Sequence, residues 1–349
     1  MAKELGVGVI GLGMGRDLFY LNGDPSSRFE VRAVCSRDPA RAERAARDHG
    51  LGFFTADYRE LVARADVDLV AVFSPDHLHA EHCLAALRAG KHVLVTKPMV
   101  TRLSDAVELT RESEARGLKL LVGETCRWYT SFLAAKRLLD DGDLGGILLA
   151  EAHYVHEIKD YFPLTPWRLE APQDFLYGGV CHPVDSLIWV LGDVDEVHCY
   201  ANRGGLSAYP QEENYLLNLR FRNGVMARVL GAYGVVQPPW PMMGITLYGT
   251  RATATATFED FKPGQLRVVF DKLPGNEPAV IDYPADLEGA YGQGQAVRRY
   301  MAHLEDCLVH DKQPCENARE GTKTIAALDA ACRSFRTGLP QKVTADFPT

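Results

Sequence analysis

The sequence predicts an α/β domain with a parallel, doubly wound sheet, followed by an α+β domain with a mostly antiparallel sheet. Three observations support this fold class. The length of 349 residues suggests two domains. Apolar strands alternate with helical segments as far as about residue 124, and beyond that point strands follow one another without helices between them. We therefore expect one domain over residues 1–124 and a second over residues 125–349, with the C-terminal helices as candidates to pack back on the first.

Short apolar runs separated by helix start and stop signals predict the first domain. The predicted strands are residues 7–10, 31–34, 69–73, 93–95 and 118–122. Asp38 and Pro39 suit the cap and the first position of a helix, and Gly50 suits its end. Ser104 and Gly117 bracket a further predicted helix. This alternation is typical of βαβ units and a parallel sheet.

A hairpin signal marks the second domain, where Asn223-Gly224 separates the apolar runs 214–221 and 225–230. Further strands are predicted at residues 147–158, 245–248, 253–258 and 266–270, and closing helices at residues 295–310 and 318–336. The Pro-rich segments 163–172 and 235–241 are too short to serve as interdomain linkers.

Composition excludes several classes of partner. The net charge is 38 − 46 = −8, which argues against nucleic acid or an anionic membrane as the main partner. No apolar run reaches the length of about 18 residues needed to span a membrane, and no signal peptide is recognised. The eight cysteines are scattered without a C-x-x-C pair, so we expect neither a disulfide framework nor a zinc site. These features predict a cytoplasmic protein with no membrane partner.

A glycine-rich turn ends the first predicted strand and carries Gly11, Leu12, Gly13, Met14 and Gly15. The first glycine permits a tight turn, and the second lets the backbone approach a pyrophosphate at a helix N-terminus. The third glycine comes one residue earlier than in the usual G-x-G-x-x-G pattern. Such turns are often no more than turns, but this position at the start of a βαβ series predicts a Rossmann dinucleotide site.

The end of the second strand indicates which dinucleotide binds. An acidic residue there selects NAD through the ribose hydroxyls, whereas this sequence has Ser36 and Arg37. A hydroxyl and a guanidinium suit a 2′-phosphate, so we favour NADP over NAD. The alternative is that Arg37 is a solvated loop residue and that Asp38 caps the helix or reaches the ribose.

The chain resembles the Gfo/Idh/MocA oxidoreductases, named for glucose–fructose oxidoreductase and inositol dehydrogenase, in motifs that occur in order over almost its whole length. These motifs are Gly11–Gly15, Ser74-Pro75-Asp76 with His79, residues 89–93, Thr96-Lys97-Pro98, residues 142–145, Trp167-Arg168, Gly178-Gly179 leading to His182 and Asp185, residues 248–250, and residues 330–338. The resemblance implies a Rossmann domain and a second domain with a large open sheet. It also implies that this sheet forms homodimers or homotetramers and that the substrates are sugars, cyclitols or related polyols.

The resemblance implies that Lys97 and His182 are the catalytic residues. Lys97 follows a strand, at the sheet edge where α/β proteins bind ligands, and would exchange the proton of the reacting hydroxyl. His182 would relay that proton or bind the reacting oxygen. Asp185 would orient His182 or bind a substrate hydroxyl. Two departures stand out: Thr96 replaces the usual glutamate before the lysine, and Gly178 replaces an aspartate four residues before His182.

Structural roles remain open for the same residues. Lys97 could be a surface lysine, His182 could cap a helix, and Asp185 could complement the helix dipole. His79, with the nearby histidines at positions 77 and 82, could form a solvated helix face.

Further candidates belong to the cofactor and the substrate. The predicted cofactor-binding residues are Gly11, Leu12, Gly13, Met14, Gly15, Ser36, Arg37, Ser74, Pro75, Asp76, His79, Thr96, Lys97, Trp167 and Arg168. The predicted substrate-binding residues are Asp185, Arg127, Tyr154 and His156. Strand alternation sends Tyr154 and His156 to one face and His153 and Glu157 to the other, so we predict no metal site.

These features predict an NAD(P)-dependent dehydrogenase or reductase of a sugar, sugar derivative or cyclitol. Two alternatives remain. One is a glycoside-cleaving redox enzyme whose bound cofactor is recycled, and the other is a non-catalytic sugar-sensing regulatory protein. Retention of Lys97 and His182 argues against the regulatory protein.

Overall fold

A computed structural model describes residues 4–171, 173–207, 209–236, 238, 240–259, 264–271, 279–282 and 294–345. Pro172, Gln237 and Pro239, which belong to the predicted Pro-rich loops, lie outside the described residues. The chain divides into a first unit, Met1–Gly123 with Val297–Thr322, and a second unit, Glu124–Ala296 with Lys323–Thr349.

The first unit is built on a parallel sheet of six strands among the described residues. They are β1 Leu5–Ile10, β2 Phe29–Cys35, β3 Phe53–Thr55, β4 Leu69–Val72, β5 His92–Thr96 and β6 Leu120–Gly123. Their order is β3-β2-β1-β4-β5-β6, so the direction of winding reverses between β1 and β4. Ligands of α/β proteins bind at such a switch point, outside the carboxyl ends of the strands.

Helices and 3₁₀ turns connect these strands. They are the 3₁₀ turns Met14–Phe19 and Asp76–Leu78 and the helices α1 Tyr20–Gly23, α2 Pro39–His49, α3 Tyr58–Val62, α4 His79–Arg88 and α5 Leu103–Ala115. The caps predicted for α2 are confirmed, because the Asp38 carboxylate accepts the Ala40 N–H at 3.0 Å and Gly50 has φ +66°. The start predicted at Ser104 is wrong by one residue, since α5 begins at Leu103 and has no side-chain cap.

The second unit is built on a nine-stranded sheet within the described residues. Its strands are β7 Ile147–Val155, β8 Val194–Asn202, β9 Asn214–Phe221, β10 Met226–Ala232, β11 Met243–Gly249, β12 Ala252–Phe258, β13 Gln265–Phe270, β14 Ala279–Asp282 and β15 Gln341–Lys342. The order is β14-β13-β12-β11-β7-β10-β9-β8-β15, and neighbours are antiparallel except β7 and β10. The hairpin predicted at Asn223-Gly224 joins β9 to β10 and is confirmed.

One element of this sheet ends earlier than predicted. Apolar residues continue to position 158, but β7 ends at Val155 because the chain turns into the 3₁₀ turn Lys159–Tyr161. His156 therefore lies just beyond the strand.

The helical segments of the second unit place its polar side chains. They are the 3₁₀ turn Thr125–Trp128 and the helices α6 Thr130–Asp140, α7 Trp167–Glu170, α8 Phe175–Gly178 and α9 Cys181–Leu191. Two long helices, α10 Gly294–Val309 and α11 Ala318–Thr337, each contribute residues to both units. Helix α9 packs on β7 and β11, and every residue but Trp189 is buried. A helix covered on nearly all sides can keep polar side chains only if they are hydrogen-bonded or paired with an opposite charge.

Candidate functional site

The glycine turn of the first unit is closed on one side and open on the other. Gly11 follows β1 with φ +94°, and a Cβ there would clash with the Phe73 carbonyl. Gly13 is exposed, and among the described residues no heavy atom lies within 4 Å of the place where its Cβ would be. Arg41 of α2 donates to the Leu12 carbonyl at 2.6 Å and braces the turn. The turn therefore leaves its backbone accessible, as a pyrophosphate requires.

The rest of the turn is packed inward. Gly15 is buried, and a Cβ there would come within 2.8 Å of Val9 on β1. Met14 begins the helical segment that follows. The early third glycine thus brings that segment against the sheet, which is the role of the third glycine in dinucleotide folds.

Polar side chains follow β2 at the neighbouring strand end. Ser36 is half-buried, and its N–H donates to the Thr55 carbonyl at 3.1 Å, whereas Arg37 is exposed. The Asp38 carboxylate caps α2, which is one of the two roles considered for it. Ser36 and Arg37 therefore remain as the side chains at this edge that can recognise a ribose substituent.

His79 connects the carboxyl ends of β4 and β5. Its ring is 1% exposed, with Nδ1 2.8 Å from the Pro98 carbonyl and Nε2 2.8 Å from the Ser74 carbonyl. Burial lowers the pKa of His79 more than the two carbonyls raise it. Lys97, half-buried and directly after β5, precedes the cis peptide to Pro98. His79 therefore fixes the backbone next to the predicted catalytic lysine.

The alternative of a solvated histidine face is wrong for two of its three members. His79 and His82 are buried, and only His77 is exposed. The His82 ring accepts from or donates to the Ser74 hydroxyl at 2.8 Å, and burial lowers its pKa to about 4. The Asp76 carboxylate, also buried, accepts the His77 N–H at 2.9 Å. The carboxyl end of β4 is therefore a packed turn with buried polar side chains.

Pro75 follows β4 and Thr96 ends β5, and both residues are half-buried.

His182 of the second unit is held by a carboxylate that the sequence did not indicate. The ring lies in the first turn of α9 and is 2% exposed. Its Nδ1 is 2.5 Å from Oε1 of Glu124, which is also 2% exposed. The Cys126 N–H donates to the same oxygen at 3.2 Å. The predicted cap role is wrong, since His182 lies inside the helix and Val180 is the N-cap.

Cys126 completes a group of three possible metal ligands. Its Sγ is 3.5 Å from His182 Nδ1 and 3.0 Å from Met243 Sδ. Ligand atoms of Glu124, Cys126 and His182 all lie within 4.8 Å of one another. Burial, and then the Glu124 charge, raise the pKa of the Cys126 thiol well above its ordinary value. The absence of a metal, predicted from the sequence, stays a prediction.

Arg127 and Asp185 bind each other. The guanidinium Nε and Nη2 donate to the two carboxylate oxygens, each at 2.7 Å, and the side chains are 3% and 2% exposed. The Thr324 hydroxyl donates to Oδ1 of the same carboxylate at 2.9 Å. Asp185 does not pair with His182 through any hydrogen bond found among the described residues; its charge is compensated by Arg127.

A cluster of aromatic rings extends from His182 through Tyr154. The Tyr154 ring lies 5.3 Å from the His182 ring, edge to face, and its hydroxyl is 3.0 Å from His156 Nδ1. The His156 ring lies 5.0 Å from Tyr161, and Tyr233 lies 5.5 Å from Tyr154. Tyr154 and His156 therefore share one face, as alternation predicted. Their polar atoms and half-buried rings suit a polyol, whose carbon-bound hydrogens pack on aromatic faces.

Position 178 has no room for the missing aspartate. A Cβ at Gly178 would lie 2.5 Å from Gln173 Nε2 and 2.6 Å from Gln173 Cδ. Gln173 is buried and held by the Arg168 guanidinium, whose carbon lies 4.9 Å from the centre of the Trp167 ring. The loop that carries Trp167 and Arg168 therefore anchors the amide that fills this space.

Sequence reasoning missed Glu124, Cys126, Gln173 and Thr324. Glu124 carries one usable signal: it directly follows β6, at the carboxyl end of a parallel strand, and precedes Arg127 by three residues. No such signal exists for Gln173 or Thr324, whose roles depend on side-chain packing.

The first unit defines a dinucleotide-binding protein, because the strand order reverses beside an open glycine turn. The second unit adds a buried histidine–carboxylate pair, the kind of group that transfers protons in oxidoreductases. Within the described residues no helix has both the length and the apolar character that a membrane crossing requires.

Comparison with known proteins identifies the family. The model of an oxidoreductase family with an NAD-binding Rossmann fold matches residues 5–124, and the model of the GFO/IDH/MocA C-terminal domain matches residues 132–255. The chain therefore belongs to the Gfo/Idh/MocA oxidoreductases and is an enzyme of that class.

Relatives of known name support this assignment. The chain is 31% identical over 315 residues to a 1,5-anhydro-D-fructose reductase of Ensifer adhaerens, which covers 88% of this chain and 90% of that protein. It is 35% identical over 230 residues to an inositol 2-dehydrogenase of Saccharopolyspora erythraea, which covers 64% of this chain and 66% of that protein. An oxidoreductase from Agrobacterium radiobacter, solved with NAD⁺, L-tartaric acid and magnesium, has a TM-score of 0.86 at 23% identity, covering 97% and 98% of the two chains. The last similarity shows the fold alone.

Proposed function

We propose that the chain is an NAD(P)-dependent dehydrogenase or reductase of a sugar, sugar derivative or cyclitol. The observation that carries this proposal is the buried His182–Glu124 pair beside the half-buried Tyr154 and His156. The relative that matches nearly the whole chain, an anhydrofructose reductase, supports the same substrate class.

The first unit would hold the dinucleotide. The open glycine turn at Gly11–Gly15 fits a pyrophosphate, and the strand ends at Ser74–Asp76 and Thr96 supply backbone and side-chain polar groups. Trp167 and Arg168 are proposed cofactor contacts of the second unit. The bound nicotinamide would exchange a hydride with the substrate carbon.

The chain's own residues would manage the proton. Lys97, on backbone fixed by His79, would exchange the proton of the reacting hydroxyl through Nζ, and His182 would relay it. Tyr154 and His156 would bind the other substrate hydroxyls. Arg127 and Asp185 were predicted to bind substrate. Because they form a buried two-bond ion pair with each other, we propose that they position α9 instead.

A turnover screen tests this function. Nicotinamide absorbance is followed with aldoses, anhydrosugars and cyclitols, in both directions. Lys97→Met is expected to lower kcat by about 100-fold or more, since general acid–base catalysis contributes about 10²–10⁴. Lys91→Met is the matched control. The Lys91 ammonium donates to the Arg64 carbonyl at 2.8 Å, away from the proposed site residues. Wild-type turnover in Lys97→Met would refute the acid–base role, and no absorbance change with any polyol would refute the substrate class.

We propose NADP as the preferred cofactor, because Ser36 and the exposed Arg37 stand where NAD-binding proteins carry an acid. Arg37→Ala is expected to weaken NADPH binding about tenfold or more and to leave NADH binding unchanged. Arg44→Ala, which changes an exposed arginine on α2, is the control. Equal loss for both dinucleotides would refute the preference.

We also propose a homodimer or homotetramer formed through the open face of the second sheet. Tyr200, Leu216 and Met226 are exposed on β8, β9 and β10, and Tyr200 pairs directly with Leu216. Light scattering of the wild type and of Leu216→Glu tests this proposal; a monomeric wild type would refute it.

A further inference from the structure

We propose that Glu124 is a positioning residue that replaces the carboxylate missing at position 178 and assigns the proton-exchanging role to Nε2 of His182. This inference rests on the proposed function, since it concerns the proton of that reaction. It adds a residue that no motif of the family resemblance identified.

The contacts at Glu124 determine where the protons lie. Oε1 accepts the Cys126 N–H at 3.2 Å and lies 2.5 Å from His182 Nδ1. Glu124 is also the N-cap of the 3₁₀ turn Thr125–Trp128, where the turn's N–H groups favour a negative charge. An oxygen that already accepts one N–H is best satisfied as an ionised acceptor of a second, so Nδ1 carries a proton. The lone pair of the neutral ring is then on Nε2.

This tautomer determines which ring nitrogen of His182 accepts and releases the transferred proton. When a substrate hydroxyl is oxidised, its O–H bond would break, Lys97 would take the proton at Nζ, and the relay would pass it on to form an N–H bond at Nε2 of His182. A bound oxidised nicotinamide would accept the hydrogen and electron pair of the C–H bond as hydride, so charge and atoms would balance. Nδ1–H stays intact, and Glu124 compensates the imidazolium charge, as the buried aspartate does in a catalytic triad. Reduction runs the same steps in reverse.

Packing explains why the carboxylate comes from position 124. The side-chain space at Gly178 is filled by the Gln173 amide, which Arg168 holds. An aspartate at 178 would displace that amide. The chain therefore keeps a carboxylate on His182 while using the space at 178 for a different contact.

Glu124 is a charged partner hydrogen-bonded to the His182 ring. Cys126 faces the ring, but burial raises its thiol pKa and keeps it neutral. Tyr154 meets the ring edge to face from β7. Asp185 lies three residues along α9, with its charge compensated by Arg127. Removing the Glu124 charge should therefore change the protonation of His182 more than any other single change.

Histidine titration by NMR tests the inference in the full-length chain saturated with NADP⁺. Two-bond ¹⁵N–¹H spectra report the tautomer of each ring and its pKa, and through-bond correlations to the assigned backbone identify the His182 signal in the wild type. We expect Nδ1–H in the wild type. In Glu124→Gln we expect a His182 pKa lower by about 1–3 units, because a nearby opposite charge stabilises the imidazolium by that amount. The acid limb of kcat/KM for oxidation should move to lower pH with it.

A matched control separates this effect from loss of any buried carboxylate. Glu213 is buried in the same unit and accepts the N–H groups of Gly204 and Leu206 at 3.0 Å. Glu213→Gln is expected to lower stability and to leave the His182 titration unchanged. Glu124→Asp, which keeps the charge, should retain most of the wild-type His182 pKa.

Three results would overturn the inference. They are an Nε2–H tautomer in the wild type, an unchanged His182 pKa in Glu124→Gln, and a stoichiometric metal that Cys126→Ser releases. The tautomer is measured in the wild type, so the inference can be refuted even if a variant does not fold. Titration is independent of turnover, so a chain that oxidises no polyol refutes the proposed function while the tautomer still decides the role of Glu124.

Discussion

The Arg127–Asp185 ion pair should be one of the most costly contacts to break in the second unit. Both side chains are almost completely buried, and the guanidinium donates two hydrogen bonds of 2.7 Å to the carboxylate. Removing one partner of a buried pair costs about 3–5 kcal/mol, because the remaining charge is left uncompensated. In Arg127→Met, the Thr324 hydroxyl still donates to Asp185, and one neutral hydrogen bond of about 0.5–1.5 kcal/mol does not offset that loss.

A double-mutant cycle measures the pair directly. Urea unfolding is followed for Arg127→Met, Asp185→Leu and the double variant, by tryptophan fluorescence and circular dichroism. Each single variant should lose about 3–5 kcal/mol of unfolding free energy, or about 6–20 °C in Tm for a unit of this size. The double variant should lose less than either single variant, since no charge is left buried alone.

An exposed pair provides the comparison. Lys136 and Asp140 form an i,i+4 contact on α6, and their side chains are 22% and 58% exposed. Lys136→Met should cost less than about 1 kcal/mol. A cost below about 1 kcal/mol for Arg127→Met, or additive effects in the cycle, would show that the reasoning about burial is wrong.

Two further predictions concern the glycine turn and the thiols. Gly11→Ala should destabilise the first unit by about 1–3 kcal/mol in thermal unfolding, since φ is +94° and the Phe73 carbonyl blocks a Cβ, whereas Gly13→Ala should leave unfolding nearly unchanged and weaken dinucleotide binding in calorimetry. Equal unfolding effects would contradict this contrast. With iodoacetamide at pH 8, intact mass should show one modified thiol, Cys315, because it is exposed, whereas burial raises the pKa of Cys35 to about 12 and that of Cys126 above its ordinary value. Thiolate forms only as the pH approaches the pKa, so Cys35 and Cys126, whose pKa values are raised, should stay protected well above pH 8. Rapid modification of a second thiol in the native chain would refute the assignment.

Local signals explain why much of the fold could be predicted from the sequence. The cap at Asp38, the helix end at Gly50 and the Asn223-Gly224 hairpin each depend on a few neighbouring residues, and the structure has all three. The boundaries that moved, at Ser104 and after Val155, are those where no side-chain cap or turn residue marks the end.

The candidate site could be predicted only where the partners share a motif. His182 and Asp185 were found together because they are three residues apart, but Glu124 lies 58 positions before His182 and carries no periodic signal. His82 was considered for a solvated face because its own helix does not reveal the Ser74 hydroxyl and Tyr58 ring that bury it. Long-range packing of polar groups is decided by tertiary structure, which local patterns do not report.

Glu124 and Arg127 together specify how their turn is aligned along α9. They lie three residues apart on a 3₁₀ turn, and their partners His182 and Asp185 lie three apart on a helix, so both pairs form side by side. Sliding the turn by one step of three would place Glu124 against Asp185, two carboxylates without a cation. The wrong alignment is therefore penalised by charge as well as by lost contacts. Any transplant of this site into another scaffold would have to move the four residues as one set.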